Sequence, residues 1–220
     1  MSYSEEWDSI YKNEKQLSVW PWSDMVSLSY HFGNLHKGMR VLELGCGAGA
    51  NIPFFVALES DYYAIEGSTT MVELLQKKFP SDKVHILKGD FTSKIPWTDY
   101  FDLIIDRSSL THNSTHDIIR CISLIKNALK IGGVYIAVDW FSTKYDDYYN
   151  MKAQKVDDYT RLFSEGYFSD VGKVHFSDLE HIKGLFVGFS ILHLTEKVHT
   201  RYIPFSMKQA WWDFVMKKEK

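Results

Sequence analysis

The sequence predicts an α/β fold: a seven-stranded, mostly parallel sheet with helices on both faces and an antiparallel last strand. Three observations carry that prediction. From residue 39 to 139 short β-type runs alternate with helical patterns. Those runs are apolar at consecutive positions, as strands covered on both faces are. Only 14 residues lie between Leu194, which ends one β-type run, and Gln209, just before the last one. That is room for a long hairpin but cramped for a helical crossover, so the last strand runs against its neighbours.

Taken in order, residues 1–38 read as helical and rich in aromatics, with Ser23 a plausible N-cap and Asp24 in the first turn. Arg40–Leu44 is the first strand, followed by glycines and a helical pattern from about Ala50. Tyr62–Ile65 is the second strand; Ser68 opens a helix through Met71, Leu74 and Leu75, and Pro80 lies beyond its end. Val84–Leu87 and Leu103–Ile105 are strands three and four. Residues 118–129 carry apolar side chains at 118, 122, 125 and 129, a helix closed by Gly132 and Gly133. Val134–Val138 is strand five; a helix around Ser177–Leu185 leads to strands at Phe189–Leu194 and Trp211–Met216.

The chain has 220 residues, the size of a single domain that buries about 70% of its extended surface without staples. Hydrophobic residues make up 45% and charged residues 24%, which excludes a disordered, collagen-like or coiled-coil chain. The net charge of -3 and the lack of a basic stripe argue against a nucleic-acid partner. No apolar run approaches the roughly 20 residues that cross a bilayer, so no membrane partner is expected either. Cys46 and Cys121 have no metal-ligand spacing, so no metal is expected. Two cysteines fit a reducing, cytoplasmic setting, and monomer and homodimer are equally compatible with the sequence.

The most informative string is VLELGCGAGA, residues 41–50. Gly45, Gly47 and Gly49 stand where a strand ends and a helix begins, and glycine there lets a ligand approach the backbone closely. Gly45, Gly47 and Ala50 also satisfy a dinucleotide fingerprint, with Glu66 placed 21 residues on to bind a ribose in either case. Glu43, at the strand tip, faces a pyrophosphate poorly and suits a ligand carrying an ammonium group.

The strings ELGCGAG, YAIEGSTTM (63–71), KGDFTSKIP (88–96), FDLIIDRSSLTH (101–112) and LKIGGVYIAVD (129–139) resemble, in order, the motifs of the class I S-adenosylmethionine-dependent methyltransferases. The resemblance covers most of residues 38–216 and implies a Rossmann-like methyltransferase fold with S-adenosyl-L-methionine as cofactor. It places Glu43, Gly45, Cys46 and Gly47 at the methionyl end of the cofactor and Glu66 on the ribose hydroxyls. Gly67, which loosens the turn, follows; Met71 packs on the adenine, Asp90 accepts from its amine, and the Phe91 ring lies beside it.

Methyl transfer needs alignment and desolvation more than functional groups. A base for the acceptor's proton is sought at the carboxyl ends of strands four and five. Asp106 follows an apolar run at a strand tip, as a contact to cofactor or acceptor or as a loop cap. His112 is the better base of the pair His112 and His116. Arg107 pairs with Asp106 or holds an anionic acceptor; Asp139 stands at the end of strand five. The stretch Asp106-Arg107-Ser108-Ser109 lacks the paired prolines common in methylases of base amines.

Aromatic residues crowd two segments outside the sheet. Residues 7–32 hold Trp7, Tyr11, Trp20, Trp22, Tyr30 and Phe32, and residues 140–168 hold nine aromatics in 29. They are expected to form an N-terminal helical cap (1–38) and a lid insertion (140–176) within a single domain, with Tyr11, Trp20 and Tyr145 lining the acceptor pocket. The sequence thus points to an enzyme methylating a small molecule, more on oxygen than on nitrogen. A protein or peptide side-chain methyltransferase, or a non-catalytic cofactor-binding subunit, is the alternative.

Overall fold

The structure is a computed structural model, described here for residues 6–220. Five parallel strands form its centre: β1 (Arg40–Leu44), β2 (Asp61–Glu66), β3 (Val84–Lys88), β4 (Phe101–Arg107) and β5 (Leu129–Phe141). Three short strands follow, β6 (Gln154–Lys155), β7 (Thr160–Leu162) and β8 (Lys173–His175), and then the long β9 (Phe189–Arg201) and β10 (Met207–Lys218). The main sheet has the order β3-β2-β1-β4-β5-β10-β9, and β10 runs antiparallel to both neighbours. The hairpin expected from the short connection is present, and both its strands are longer than the apolar runs suggested.

Consecutive residues of each central strand enter different cores. Leu42, Ile104 and Tyr135 pack on one face with α5 (Thr115–Ala128) and α6 (Leu179–Leu185). Val41, Leu103 and Ile136 pack on the other with α2 (Ser23–Phe32), α3 (Ile52–Ala57) and α4 (Thr69–Lys78). This period-two division between two buried faces is why the strands read as unbroken apolar runs. The first helix, α1 (Glu6–Lys12), is tied to α4, because Asp8 accepts from the Ser68 hydroxyl and the Thr70 amide.

Helix boundaries account for most local differences. Trp22, not Ser23, occupies the cap position of α2, without a side-chain cap bond. Ser68 caps α4 as expected, accepting from the Met71 amide at 3.2 Å. Gly132 and Gly133 do not close α5; that helix stops at Ala128 and the chain enters β5 at once. The glycines lie inside the strand, where a Cβ on Gly133 would stand 3.1 Å from the Phe101 carbonyl oxygen of β4. The insertion after β5 folds as the antiparallel sheet β6-β7-β8 over its own aromatic core of Phe141, Tyr145, Phe163, Phe168, Val174 and Phe176. Its Tyr-rich, acid-interrupted sequence carried no alternation from which those strands were legible.

Candidate active site

At the carboxyl ends of β1, β2 and β4 lies a cavity of about 540 Å³. It opens between β1 and β4, where the sheet's connections diverge and ligands of open α/β sheets bind. Its floor is the glycine turn, with positive φ at Gly45 (64°) and Gly47 (50°). A Cβ at Gly45 would come within 2.5 Å of Ser109 Cβ, and one at Gly47 within 2.8 Å of the Tyr11 hydroxyl. Glycine is required there because the loop after β4 and the α1 cap both close down on the backbone.

Two buried carboxylates flank the turn. Glu66, at the tip of β2, accepts the Gly47 amide on Oε2 and the Ser68 amide on Oε1, each at 2.8 Å. Burial raises its pKa, and those amides oppose the rise. Each oxygen keeps a further lone pair for a donor. Glu43 accepts from Asn51 Nδ2 at 2.8 Å and from the Tyr62 hydroxyl. Burial pushes it up to about 7 against those two bonds, so a cation beside it would favour its ionised form.

The other end of the cavity is built by β4, β5 and the last hairpin. Between the pairs Trp140↔Trp212 and Ala137↔Phe214, two residues of β5 face one of β10, a bulge at Val138 and Asp139. Asp139 takes φ 58°, and its amide donates to Asp213 Oδ1. Its side chain bridges Arg107 Nε (2.9 Å) and Lys197 Nζ (3.1 Å). Lys197 also reaches Asp24 and Asp213, each at 2.8 Å. Burial works against the lysine's charge, yet Asp213, Asp24 and Asp139 hold its pKa above the ordinary value. The Arg107 guanidinium carbon lies over the Trp22 ring, 3.6 Å from its centre.

The cavity brings together Glu43, Gly45, Cys46, Gly47, Glu66, Gly67, Asp90 and Phe91, with Tyr11 over Gly47, and it is lined as well by Arg107, His112, Asp139 and Tyr145. Asp90 also closes its own turn, accepting the Thr92 amide and hydroxyl on Oδ1. Three expected residues lie elsewhere. Asp106 is buried away from the cavity; it accepts from the Ser109 and Leu110 amides, the Ser109 hydroxyl and Tyr135, and burial raises it to about 6. It caps the loop after β4 and does not face the cavity. Met71 is 1% exposed in the first turn of α4, off the cavity wall, because the Ser68 cap turns that helical turn inward. Trp20 is 81% exposed, since the helix starts at Ser23 and leaves the residues before it in an open connection.

His112 lines the cavity but is held by the insertion. Its Nδ1 lies 3.0 Å from the Lys173 carbonyl oxygen of β8, and its ring meets Trp7 of the cap edge-on at 4.9 Å. Burial lowers its pKa to about 4, although the Lys173 and Val171 carbonyls counter the drop. A neutral imidazole so placed links the two covering segments and is a weak base. Of the lining residues that sequence reasoning missed, Lys197, His199 and Trp211 come from the last hairpin, and Asn51, Asn113 and Val171 from elsewhere in the chain. One signal was available: Asp213 interrupts the apolar run Trp211–Met216, and a charge inside such a run implies a partner.

A family model described as a methyltransferase domain matches residues 41–133. A protein-L-isoaspartate O-methyltransferase of Thermococcus onnurineus is 31% identical over 86 residues, 37% of this chain and 39% of that protein. A sterol 24-C-methyltransferase of Clavispora lusitaniae is 31% identical over 127 residues, 53% of this chain and 32% of that one. The matched stretch thus spans less than half the length of these curated relatives. Among solved structures, a SAM-dependent methyltransferase of Methanosarcina mazei superposes with a TM-score of 0.67 at 14% identity, covering 92% of this chain and 99% of that one. Residues 41–133 thus match a methyltransferase domain, and the sheet order with its glycine turn and two acids is similar to that of the class I S-adenosylmethionine-dependent methyltransferases.

Proposed function

We propose that the protein transfers the methyl group of S-adenosyl-L-methionine to an oxygen of a small-molecule acceptor. The observation that carries this reading is that one cavity runs from Glu66 and the glycine turn to Trp211 of the last hairpin, under α1 and the insertion. A side chain of a folded protein would need an open groove in that place. The curated relatives named above act, by their names, on a protein and on a sterol carbon, and neither assignment is carried over to this chain.

The residues fit the cofactor. Glu66, held by two backbone amides, has lone pairs left for a vicinal diol. Glu43 is fixed by Tyr62 and Asn51 where an ammonium group would ionise it. The Gly45–Gly47 backbone leaves room that any Cβ would fill. The bound cofactor supplies a methyl group on a sulfonium sulfur. The chain's own part is then to exclude water and hold the acceptor in line, which is where most of the acceleration in such a transfer lies. Asp106, buried behind its loop, is left out of the chemistry, and His112 acts by holding the cap and the insertion together.

The test is incubation with isotopically labelled S-adenosylmethionine and a metabolite pool, followed by mass identification of the labelled product. The expected result is label in a small O-methylated compound. Label in the protein fraction alone would favour a side-chain acceptor, and preferential binding of NAD would overturn the reading.

A further inference from the structure

We propose that the acceptor is an uncharged aromatic compound whose phenolic hydroxyl is received by the terminal nitrogens of Arg107. The proposal rests on the reading of the cavity just given and names the substrate class of the same site. Arg107 is anchored twice, by Nε on Asp139 and by its guanidinium carbon over the Trp22 ring. Among the described residues its two terminal nitrogens have no hydrogen-bond partner, and the side chain lines the cavity, 33% exposed. A guanidinium only donates, so it needs a ligand atom with a lone pair, which a phenolic oxygen offers and an ammonium nitrogen lacks.

Charge and shape narrow the class. The two basic side chains at this end, Arg107 and Lys197, are already matched by Asp139 and Asp24, with Asp213 behind them. A permanently anionic acceptor would have to sit against Asp24 and Asp139, and a cationic one against Arg107 and Lys197. Among the side chains that line the cavity at this end the two cations and two carboxylates balance, Asp213 lying behind Lys197 off the cavity wall, so a neutral ligand is favoured. The cavity is also lined by the rings of Phe141, Tyr145, Phe168 and Trp211, which suit a flat ring. For ionisation of the hydroxyl, the O–H bond breaks with its electron pair kept on oxygen. The proton passes to solvent water at the cavity mouth, where Tyr167 is 69% exposed. Arg107 stabilises the oxygen left behind.

The test is calorimetric binding of three probes, 2-naphthol, 2-naphthoate and N-methylquinolinium, to the full-length protein saturated with S-adenosylhomocysteine. Naphthol is expected to bind at least about tenfold tighter than either ion. Arg107→Met should weaken naphthol about tenfold, the loss of one charge-assisted bond, with S-adenosylhomocysteine binding unchanged. A preference for naphthoate or methylquinolinium overturns the proposal, as does an Arg107→Met protein that binds naphthol as tightly as the parent. If S-adenosylhomocysteine itself fails to bind, the cofactor reading fails instead. The ranking of the three probes on the unaltered protein needs no variant, so it stands even if Arg107→Met does not fold.

Discussion

Glu66 and Asp106 are both buried acids at strand tips, and their surroundings give them opposite duties. Glu66 accepts backbone amides, those of Gly47 and Ser68 at 2.8 Å each, and faces the cavity. Glu66→Ala should therefore weaken S-adenosylmethionine at least tenfold by calorimetry, since each bond from a ligand donor to a charged group is worth roughly 1.5–3 kcal/mol. Asp106 spends its carboxylate on the loop that follows it. Asp106→Asn should lower unfolding stability by about 1–2 kcal/mol and leave cofactor affinity unchanged, read from denaturant unfolding and calorimetry side by side. His175 gives a pH-dependent counterpart. It is fully buried among Thr160, Ser177 and His181, and burial lowers its pKa to about 3. The unfolded chain then binds more protons than the folded one between the ordinary histidine value and about 3, so this contribution is complete above pH 6.5 and is lost as the pH falls through that window. Replacing it, as in His175→Gln, should flatten the acid side of the unfolding-temperature profile relative to the parent.

At the scale of elements, Ser68 joins three of them: its hydroxyl caps α4 and donates to Asp8 of α1, and its amide holds Glu66 of β2. Ser68→Ala should cost about 1 kcal/mol of stability for the cap. It should also loosen α1, read as faster amide exchange across residues 6–12. Strands β1, β2 and β4 were legible because a strand buried on both faces cannot hide its apolar run, and the Ser68 cap because the hydroxyl stands directly before its helix. The turn acids were legible for a related reason, since Glu43 and Glu66 end apolar runs where polarity has no packing purpose. The acceptor end was not. Lys197 meets Asp24 from 173 residues away, and their meeting depends on the register of β9 on β10, which period-two patterning in a half-exposed hairpin does not fix. His112 was read as a base because it stands just past the carboxyl end of strand four. Its neighbours in space, Trp7, Phe141 and the Lys173 carbonyl, come from segments no local pattern connects to it.

Across the whole molecule, the cofactor end of the cavity is drawn mostly from residues 43–91, and the far end mainly from the cap, the insertion and the last hairpin. A net charge of -3, with Arg107 and Lys197 both paired, argues against a site that follows a phosphate backbone. Filter binding at physiological salt should accordingly retain neither RNA nor DNA oligonucleotides. The two halves of the site also rest on separate cores, and the bulge at Val138 and Asp139 is what divides the chain between them. Side chains along a strand alternate in parity, and one extra residue shifts the phase of all that follow. Beyond the bulge Trp140 enters the core of the main sheet beside Phe186 and Phe214, whereas Phe141 enters the core of the insertion beside Phe168 and Phe176. Removing a single residue there would exchange the destinations of two adjacent rings, so this one left-handed aspartate acts as a phase-setter: it decides which aromatic belongs to the catalytic sheet and which to the cover above it.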